Sequence, residues 1–374
     1  MAVDTLFPTP FGVFNLQRYP GRQSEPLQAW CGADLLLLEE CHRLSAVSQK
    51  TLVVNDEHGA LSVALEAQCL WTDSACAAEA LRRNLAINER ADVAVIWSTR
   101  EPSLQASLMV LRVPKQLPFL EYQLATLSRL MPPDTVLLAA GMDKHLSPHV
   151  AELLELHIGP TERHRGQRKA RLFSARRDER SATAAGTRSA YYCEPLAAEL
   201  QSGPNVFSRD KLDGGSRLLL DQLPRLGGAA TILDLVCGNG VLGLGAYKAQ
   251  PASRVVFADE SAMALASAEA NARRLFGQAS HSFSFHHGDG LSNYLGPVAD
   301  LILCNPPFHL NHAVDDYAGR RLLGQCAGHL QAGGRLCLVA NRHLDYTPTL
   351  KRFFQRVTVL ARDRRFNVYL AERR

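Results

Sequence analysis

No apolar run in the 374 residues approaches the ~18 of a membrane span. The opening Met1–Phe14 has neither the basic start nor the apolar middle of a secretory leader. A cytoplasmic protein with no membrane partner is expected. The nine cysteines (31, 41, 69, 76, 193, 237, 304, 326 and 337) are odd in number and contain no Cys-x-x-Cys pair. That spacing argues against a disulfide framework and against a zinc site, so no metal is expected, and the cysteines read as small buried hydrophobes in a reducing compartment. A strong overall charge is also missing, since the net value is only +4. Yet the segment 161–180 carries +5 and the segment 351–374 carries +6, which leaves the remainder acidic. Positive charge gathered into two patches is the footprint of a nucleic-acid partner, or of a solvated linker and tail.

The length suits two domains, each able to bury its own core. A Pro-rich, aperiodic arm covers residues 1–30. Behind it, helical runs (33–44, 75–88, 116–130) alternate with strand-like ones (51–54, 108–113, 135–140), with 64–71 mixed. The second half repeats the pattern, with strands at 231–236, 254–258, 281–287, 299–304 and 335–340, and helices at 241–249, from the N-cap Ser261 to Phe276, and at 317–330. A Gly333-Gly334 turn precedes the fifth strand, and 357–360 with 366–371 forms a closing hairpin. This is the order of a doubly wound α/β fold with a mostly parallel sheet. The domains are placed at 1–178 and 191–374, with a linker at 179–190.

The halves also match position by position. Gly59-Ala-Leu61 lies over Gly240-Val-Leu242, Thr72-Asp-Ser74 over Asp259-Glu-Ser261, and Leu108–Lys115 over Leu301–Phe308. Asp143–Leu146 lies over Asn341–Leu344, and Leu172–Arg177 over Tyr369–Arg374. The first copy has lost the chemistry-bearing residues: Val53 stands for Asp234, Glu57 for Gly238, and Arg112-Val-Pro-Lys115 for Asn305-Pro-Pro-Phe308. A duplication followed by loss of one site is implied, with the first copy a scaffold or an RNA platform.

The site residues cluster in the second half. Asn305-Pro306-Pro307-Phe308 ends an apolar strand. Its amide and the Pro306 carbonyl can each accept a hydrogen bond from an exocyclic amino group, while Phe308 stacks on the ring. Upstream, Asp234-Leu-Val-Cys-Gly238-Asn-Gly240 is a strand followed by a glycine turn, where the backbone can approach a ligand closely. The spacing Gly238-x-Gly240-x-x-Gly243 also fits a dinucleotide fingerprint. An aspartate at 234 would repel a pyrophosphate and welcome the ammonium and sulfonium of S-adenosylmethionine. Asp259 suits a ribose diol. Asp289, after the third strand, suits an adenine amino group or a turn.

Together with Asn341–Tyr346, these motifs resemble the bacterial ribosomal RNA guanine-N2 methyltransferases, and within them the large-subunit enzymes more than the small-subunit ones. The resemblance covers essentially the whole chain. It implies two tandem Rossmann-like class I methyltransferase domains, the N-terminal one degenerate, with S-adenosyl-L-methionine as cofactor. The substrate implied is a guanine in 23S ribosomal RNA, free of protein or early in assembly, with no obligate protein partner. It further implies that Phe207 and Ser208 open a segment, running through Asp213 to Ser216, that precedes the first strand and covers the cofactor. RNA contacts are expected from Arg112, Lys115, Arg163, Arg165, Arg168, Lys169, Arg342 and His343, and a minor role from His309. The residues alone leave open a 16S RNA substrate, adenine N6 in DNA, a protein glutamine, or a non-catalytic RNA-binding assembly factor.

Overall fold

The computed structural model of the chain describes residues 4–22, 25–45, 50–102, 106–179, 186, 188–306 and 313–374, with backbone alone at 278, 280 and 313–318. Pro307, Phe308 and His309 lie outside the described residues. The chain divides into two compact units, Met1–Thr187 and Arg188–Arg374. No helix among the described residues is long and apolar enough to cross a membrane.

The first unit comprises β1 (Leu6–Thr9), β2 (Gly12–Asn15), α1 (Gly32–Arg43), β3 (Thr51–Val54), α2 (Ala60–Ala64), β4 (Cys69–Thr72) and α3 (Ala75–Ile87). It continues with β5 (Ala94–Trp97), β6 (Leu108–Arg112), α4 (Leu117–Leu130), β7 (Val136–Met142), α5 (Val150–His157), β8 (Thr161–Arg163) and β9 (Ala170–Arg176). The second unit opens with β10 (Ser189–Cys193), β11 (Ala198–Ser202), α6 (Gly214–Leu220), β12 (Thr231–Leu235), α7 (Val241–Ala249), β13 (Arg254–Asp259) and α8 (Ala262–Phe276). It closes with β14 (Phe283–His287), β15 (Ala299–Cys304), α9 (Ala313–His329), β16 (Leu330–Asn341), α10 (Thr347–Leu350), β17 (Arg356–Arg362) and β18 (Phe366–Glu372).

Each unit holds one seven-stranded sheet, ordered β5-β4-β3-β6-β7-β9-β8 and β14-β13-β12-β15-β16-β18-β17. The two orders are the same permutation, with five parallel strands followed by an antiparallel pair. Each sheet buries both faces. In β3, Val53 points into one apolar cluster while Leu52 and Val54 point into the other. In β12, Ile232 lies in one cluster while Leu233 and Leu235 lie in the opposite one. Two-sided burial explains why these strands read as continuous apolar runs.

Three local readings change. The arm contains a β1–β2 hairpin that buries Phe7, Phe14 and Leu16 in the first core. Gly333-Gly334 does not separate a helix from a strand but sits within β16 as a bulge, between the pairs Ala299–Leu330 and Leu301–Arg335. The ladders also shift the last repeat by one residue. β9 pairs with β7 as β18 pairs with β16, and with Val136 over Arg335 that register sets Leu172 over Val368, not Tyr369.

A buried asparagine ties each unit's first hairpin to the turn at its sheet end. In the first unit Asn84 Nδ2 donates to Gln17 O (2.9 Å) and His58 O (2.7 Å), and its Oδ1 accepts from Gln17 N (2.9 Å). In the second, Asn271 Nδ2 donates to Gln201 O (2.8 Å) and Asn239 O (3.0 Å), and its Oδ1 accepts from Gln201 N (2.9 Å). Both side chains are fully buried, so the backbone groups they hold have no access to water. Asn84→Ala and Asn271→Ala are each expected to lower stability by about 2–4 kcal/mol in urea unfolding. A loss below about 0.5 kcal/mol, the size of an ordinary surface substitution, would refute the clamp.

Candidate active site

The strand order of the second sheet reverses between β12 and β15, and Leu235 of β12 lies opposite Cys304 of β15. The glycine turn and Asn305 therefore leave neighbouring strands at one level, where ligands bind in open α/β sheets. Val236 takes φ +60° and Gly238 φ +54°. A Cβ at Gly238 would meet nothing within 4 Å, so this backbone faces open space. Gly243 has the opposite reason to be glycine, because a Cβ there would lie 2.5 Å from the ring of Phe257.

Asp259 closes the turn from the neighbouring strand, accepting from Gly238 N (3.0 Å) with Oδ2 and from Ser261 N (2.9 Å) with Oδ1. It lines the cleft with Gly238, Phe207, Ser208, Asn305 and Pro306. Phe207 is 61% exposed, and Ser208, at φ +51°, donates to Lys211 O (2.8 Å). Gly240, the N-cap of α7, packs on Ala268 of α8 and has a supporting place behind the turn.

Two expected cofactor ligands are placed elsewhere. Asp234 is fully buried, and its Oδ2 accepts from Gly243 N (2.7 Å), so it holds the first turn of α7 and does not line the cleft. Burial pushes its carboxyl up to about 8, helped by the charge of Asp259 and opposed by the Gly243 bond. A group so displaced toward its neutral form does not supply the fixed negative charge expected from the sequence. Asp289 is engaged bidentately by Arg321 of α9, and its carbonyl accepts from Gln325 Nε2 (3.2 Å). In this arrangement its carboxylate answers a guanidinium and not the cleft.

The amide of Asn305 is fixed by two residues of the segment expected to cover the cofactor, in a role the sequence does not assign them. Its Nδ2 donates to Asp213 Oδ2 (2.9 Å) and to Ser216 Oγ (2.8 Å). An ionised carboxylate only accepts, so the nitrogen must face Asp213, and the amide oxygen is left as an acceptor turned away from that pair. Asp213 is also the N-cap of α6, accepting from Ser216 N (2.9 Å). The signal was present in Asp213-Gly-Gly-Ser216 ahead of an apolar run, which is an N-cap pattern. Tyr191 and Ser202, from the β10–β11 hairpin, accept from Asn239 Nδ2 at 3.1 Å each and brace the glycine turn.

The first unit shows the same slots with different contents. Arg112, at the position of Asn305, forms an ion pair with Asp34, which stands where Ser216 does. Its side chain is only 14% exposed, so Arg112 is a structural cation, not the RNA contact expected. Asp56, at the position of Cys237, accepts from Leu61 N (3.0 Å) and Ser62 N (2.8 Å), doing for α2 what Asp234 does for α7. Lys115, Arg163, Arg165, Arg168 and Lys169 are exposed, as are Arg342 and His343 of the second unit. Arg168 pairs with Glu39 at 2.7 Å.

Two family models cover the chain: the RLMG N-terminal domain matches residues 4–179, and the Methyltransferase small domain matches residues 197–370. Ribosomal RNA large subunit methyltransferase G of Alcanivorax borkumensis is 41% identical over 382 residues, 98% of this chain and 96% of the relative. The protein of that name in Pseudomonas aeruginosa is 38% identical over 372 residues, covering 98% and 99%. Among solved structures, the T. thermophilus 16S rRNA N2 G1207 methyltransferase, in complex with AdoMet and guanosine, superposes with a TM-score of 0.76 at 22% identity, covering 99% of this chain and 98% of that one. That likeness carries the tandem fold across the full length.

The carboxyl of Asp234 gives the fold a pH signature. An unfolded aspartate ionises near ~3.9, so between that value and the folded one the native chain holds a proton that the unfolded chain lacks. The contribution is full below about pH 4 and declines as pH rises through about 8. Asp234→Asn cannot ionise and is expected to flatten this decline in urea midpoints measured across that range; an unchanged slope would overturn the assignment. Arg112→Gln is expected to cost about 3–5 kcal/mol by stranding Asp34. An RNA contact would instead leave stability intact and weaken RNA binding.

Proposed function

Because the chain belongs to the ribosomal RNA large subunit methyltransferase G family, we propose that its C-terminal unit transfers a methyl group from S-adenosyl-L-methionine to the exocyclic N2 of a guanine in 23S ribosomal RNA. The observation that carries this reading is the orientation of the Asn305 amide, with both Nδ2 protons held by Asp213 and Ser216 and the oxygen left to accept. A guanine amino group has two N–H donors. One is accepted by Asn305 Oδ1 and the other by the Pro306 carbonyl, which fixes the nitrogen and turns its lone pair toward the cofactor. Phe308, beyond the described residues, is assigned the stacking face for a flipped or unpaired base.

The cofactor supplies a methyl activated by a sulfonium. Asp259 and the open backbone at Gly238 would hold its ribose end in the cleft, with Phe207 and Ser208 along the facing wall. The work left to the protein is positioning. The amino proton becomes acidic only once the methyl has arrived, so no strong base is required. We assign the first unit, with its altered slots, to a non-catalytic scaffold bearing exposed cations at Lys115, Arg163, Arg165, Arg168 and Lys169. The setting proposed is the cytoplasm, and the substrate RNA free of protein or early in assembly.

The test is transfer of labelled methyl to naked 23S and 16S RNA, followed by nucleoside analysis. N2-methylguanosine in 23S RNA is expected. Asn305→Ala should lower kcat by about 10²–10³-fold. Asp213→Ala should lower kcat by about tenfold or more with little change in cofactor Kd, whereas Asp213→Asn, which still offers an acceptor, should retain most activity. Label in 16S RNA, or none in either RNA with cofactor bound, would overturn the assignment.

A further inference from the structure

The turn between β17 and β18 carries Arg364 and Arg365, with Arg362 just before it, and all three are exposed. The turn is rigid: Asp363 Oδ1 accepts from Arg365 N and Phe366 N at 2.6 Å each, and Asp363 N donates to Phe366 O (3.0 Å). It is joined to the end of β16, because Arg342 N donates to Arg365 O (2.6 Å) and Arg342 Nη1 reaches Asp363 O (3.4 Å). Phe366 packs against the start of α6, where a Cβ on Gly214 would come within 3.2 Å of its ring. Gly214 follows Asp213, whose carboxylate holds Asn305. A short path of contacts therefore links the turn that bears Arg364 and Arg365, and Arg342 at the end of β16, to the Asn305 amide. None of Arg342, Arg364 and Arg365 forms an ion pair with a carboxylate among the described residues.

The first unit provides an internal comparison. Its equivalent turn, between β8 and β9, is also basic and also meets the end of the preceding strand, through Asp143 N donating to Lys169 O (2.8 Å). It too packs on the glycine that opens the corresponding helix, since a Cβ on Gly32 would meet Arg168. There, however, Arg168 is paired with Glu39 and Arg171 with Asp143 (3.5 Å). The duplicated turn has its guanidinium groups paired with carboxylates where the amide is gone, whereas where the amide is present the one acid of the turn, Asp363, bonds backbone N–H groups instead.

Resting on the methyl-transfer reading above, we propose that Arg342, Arg364 and Arg365 grip the RNA backbone phosphates flanking the target nucleotide, and so position the base over Asn305. Exposed guanidinium groups without carboxylate partners suit bidentate phosphate contacts, and a rigid turn loses little freedom on binding. These contacts anchor the strand and carry no sequence information.

The experiment is binding of a 23S RNA transcript by the full chain over a salt series, with methyl transfer measured on the same RNA. For Arg364→Gln/Arg365→Gln, and for Arg342→Gln, the Kd is expected to rise about three- to tenfold per arginine, and the slope of log K against log salt to fall by about one per phosphate contact. At saturating RNA the cofactor Kd should stay near that of the wild type, while kcat should fall as the base loses its alignment over Asn305. Arg364→Lys/Arg365→Lys should restore most of the affinity, which separates charge from folding. Arg168→Gln should have the smaller effect. Wild type that methylates 23S RNA while the glutamine variants keep its Kd and salt slope would overturn this proposal alone. Wild type that transfers no methyl, with glutamine variants that still lose affinity and salt slope as expected, would overturn the methyl-transfer reading and leave the phosphate contacts standing.

Discussion

The chemistry proposed for the second unit hangs on the direction in which one amide points. An asparagine side chain presents two donors and one acceptor, and rotation by 180° exchanges them. At Asn305 the exchange is blocked, because Asp213 and Ser216 take both protons of Nδ2. The restraint is local in space and remote in sequence. It comes from the first turn of α6, 92 residues earlier for Asp213, and it requires that helix to start against the end of β16. Gly215, where a Cβ would lie 3.3 Å from Val339, allows that approach. The orientation of the amide oxygen is thus a product of sheet order, helix capping and close packing together.

The first unit shows what becomes of the same arrangement when its chemical requirement is lifted. Its sheet has the same strand order, its first hairpin the same asparagine clamp, and its helix N-caps the same serine pattern, with Ser74 accepting from Ala77 N and Ser261 from Ala264 N at 3.1 Å each. The polar residues at the sheet end differ. A guanidinium on Asp34 fills the place of an amide on Asp213, and a carboxylate under α2 comes from Asp56 in the turn and not from the strand. Glu57 occupies the position at which Gly238 leaves the backbone open. Burial and backbone hydrogen bonds constrain the fold strongly, while the ligand-facing positions are constrained only by a ligand.

Much of this was legible in the sequence because it is periodic or local. β3, β15 and α7 have the expected limits, and Ser261 caps α8 as its side chain and the following run suggest. The repeat was legible because glycines and N-caps recur at matching spacings. What escaped depends on partners far along the chain. The β1–β2 hairpin has strands of only four residues amid prolines, and it is held by Asn84, 67 positions beyond Gln17. Asp234, Asp289 and Arg112 were assigned by residue type. Their roles follow from where each side chain points, toward Gly243, Arg321 and Asp34 respectively. A strand alternates faces with period two, so an acid within it can lie under a helix as readily as over a ligand.

The same distinction governs the basic residues. Counted along the sequence, 161–180 and 351–374 are nearly equivalent, at +5 and +6. Counted in space they diverge, because a guanidinium within reach of a carboxylate contributes little field beyond the pair, while an unpaired one on a rigid turn retains its full charge for an incoming phosphate. In the first unit the turn meets Glu39 and Asp143; in the second the one acid of the turn, Asp363, spends an oxygen on two backbone N–H groups and shapes the loop. Asp363 still subtracts one charge from the turn. It leaves the arginines directed outward, on the side of the sheet where β16 ends and beside the helix start that holds Asn305. Charge and the Asn305 amide are therefore set by one packed corner of the unit, so a change that loosens Phe366 against Gly214 disturbs both together.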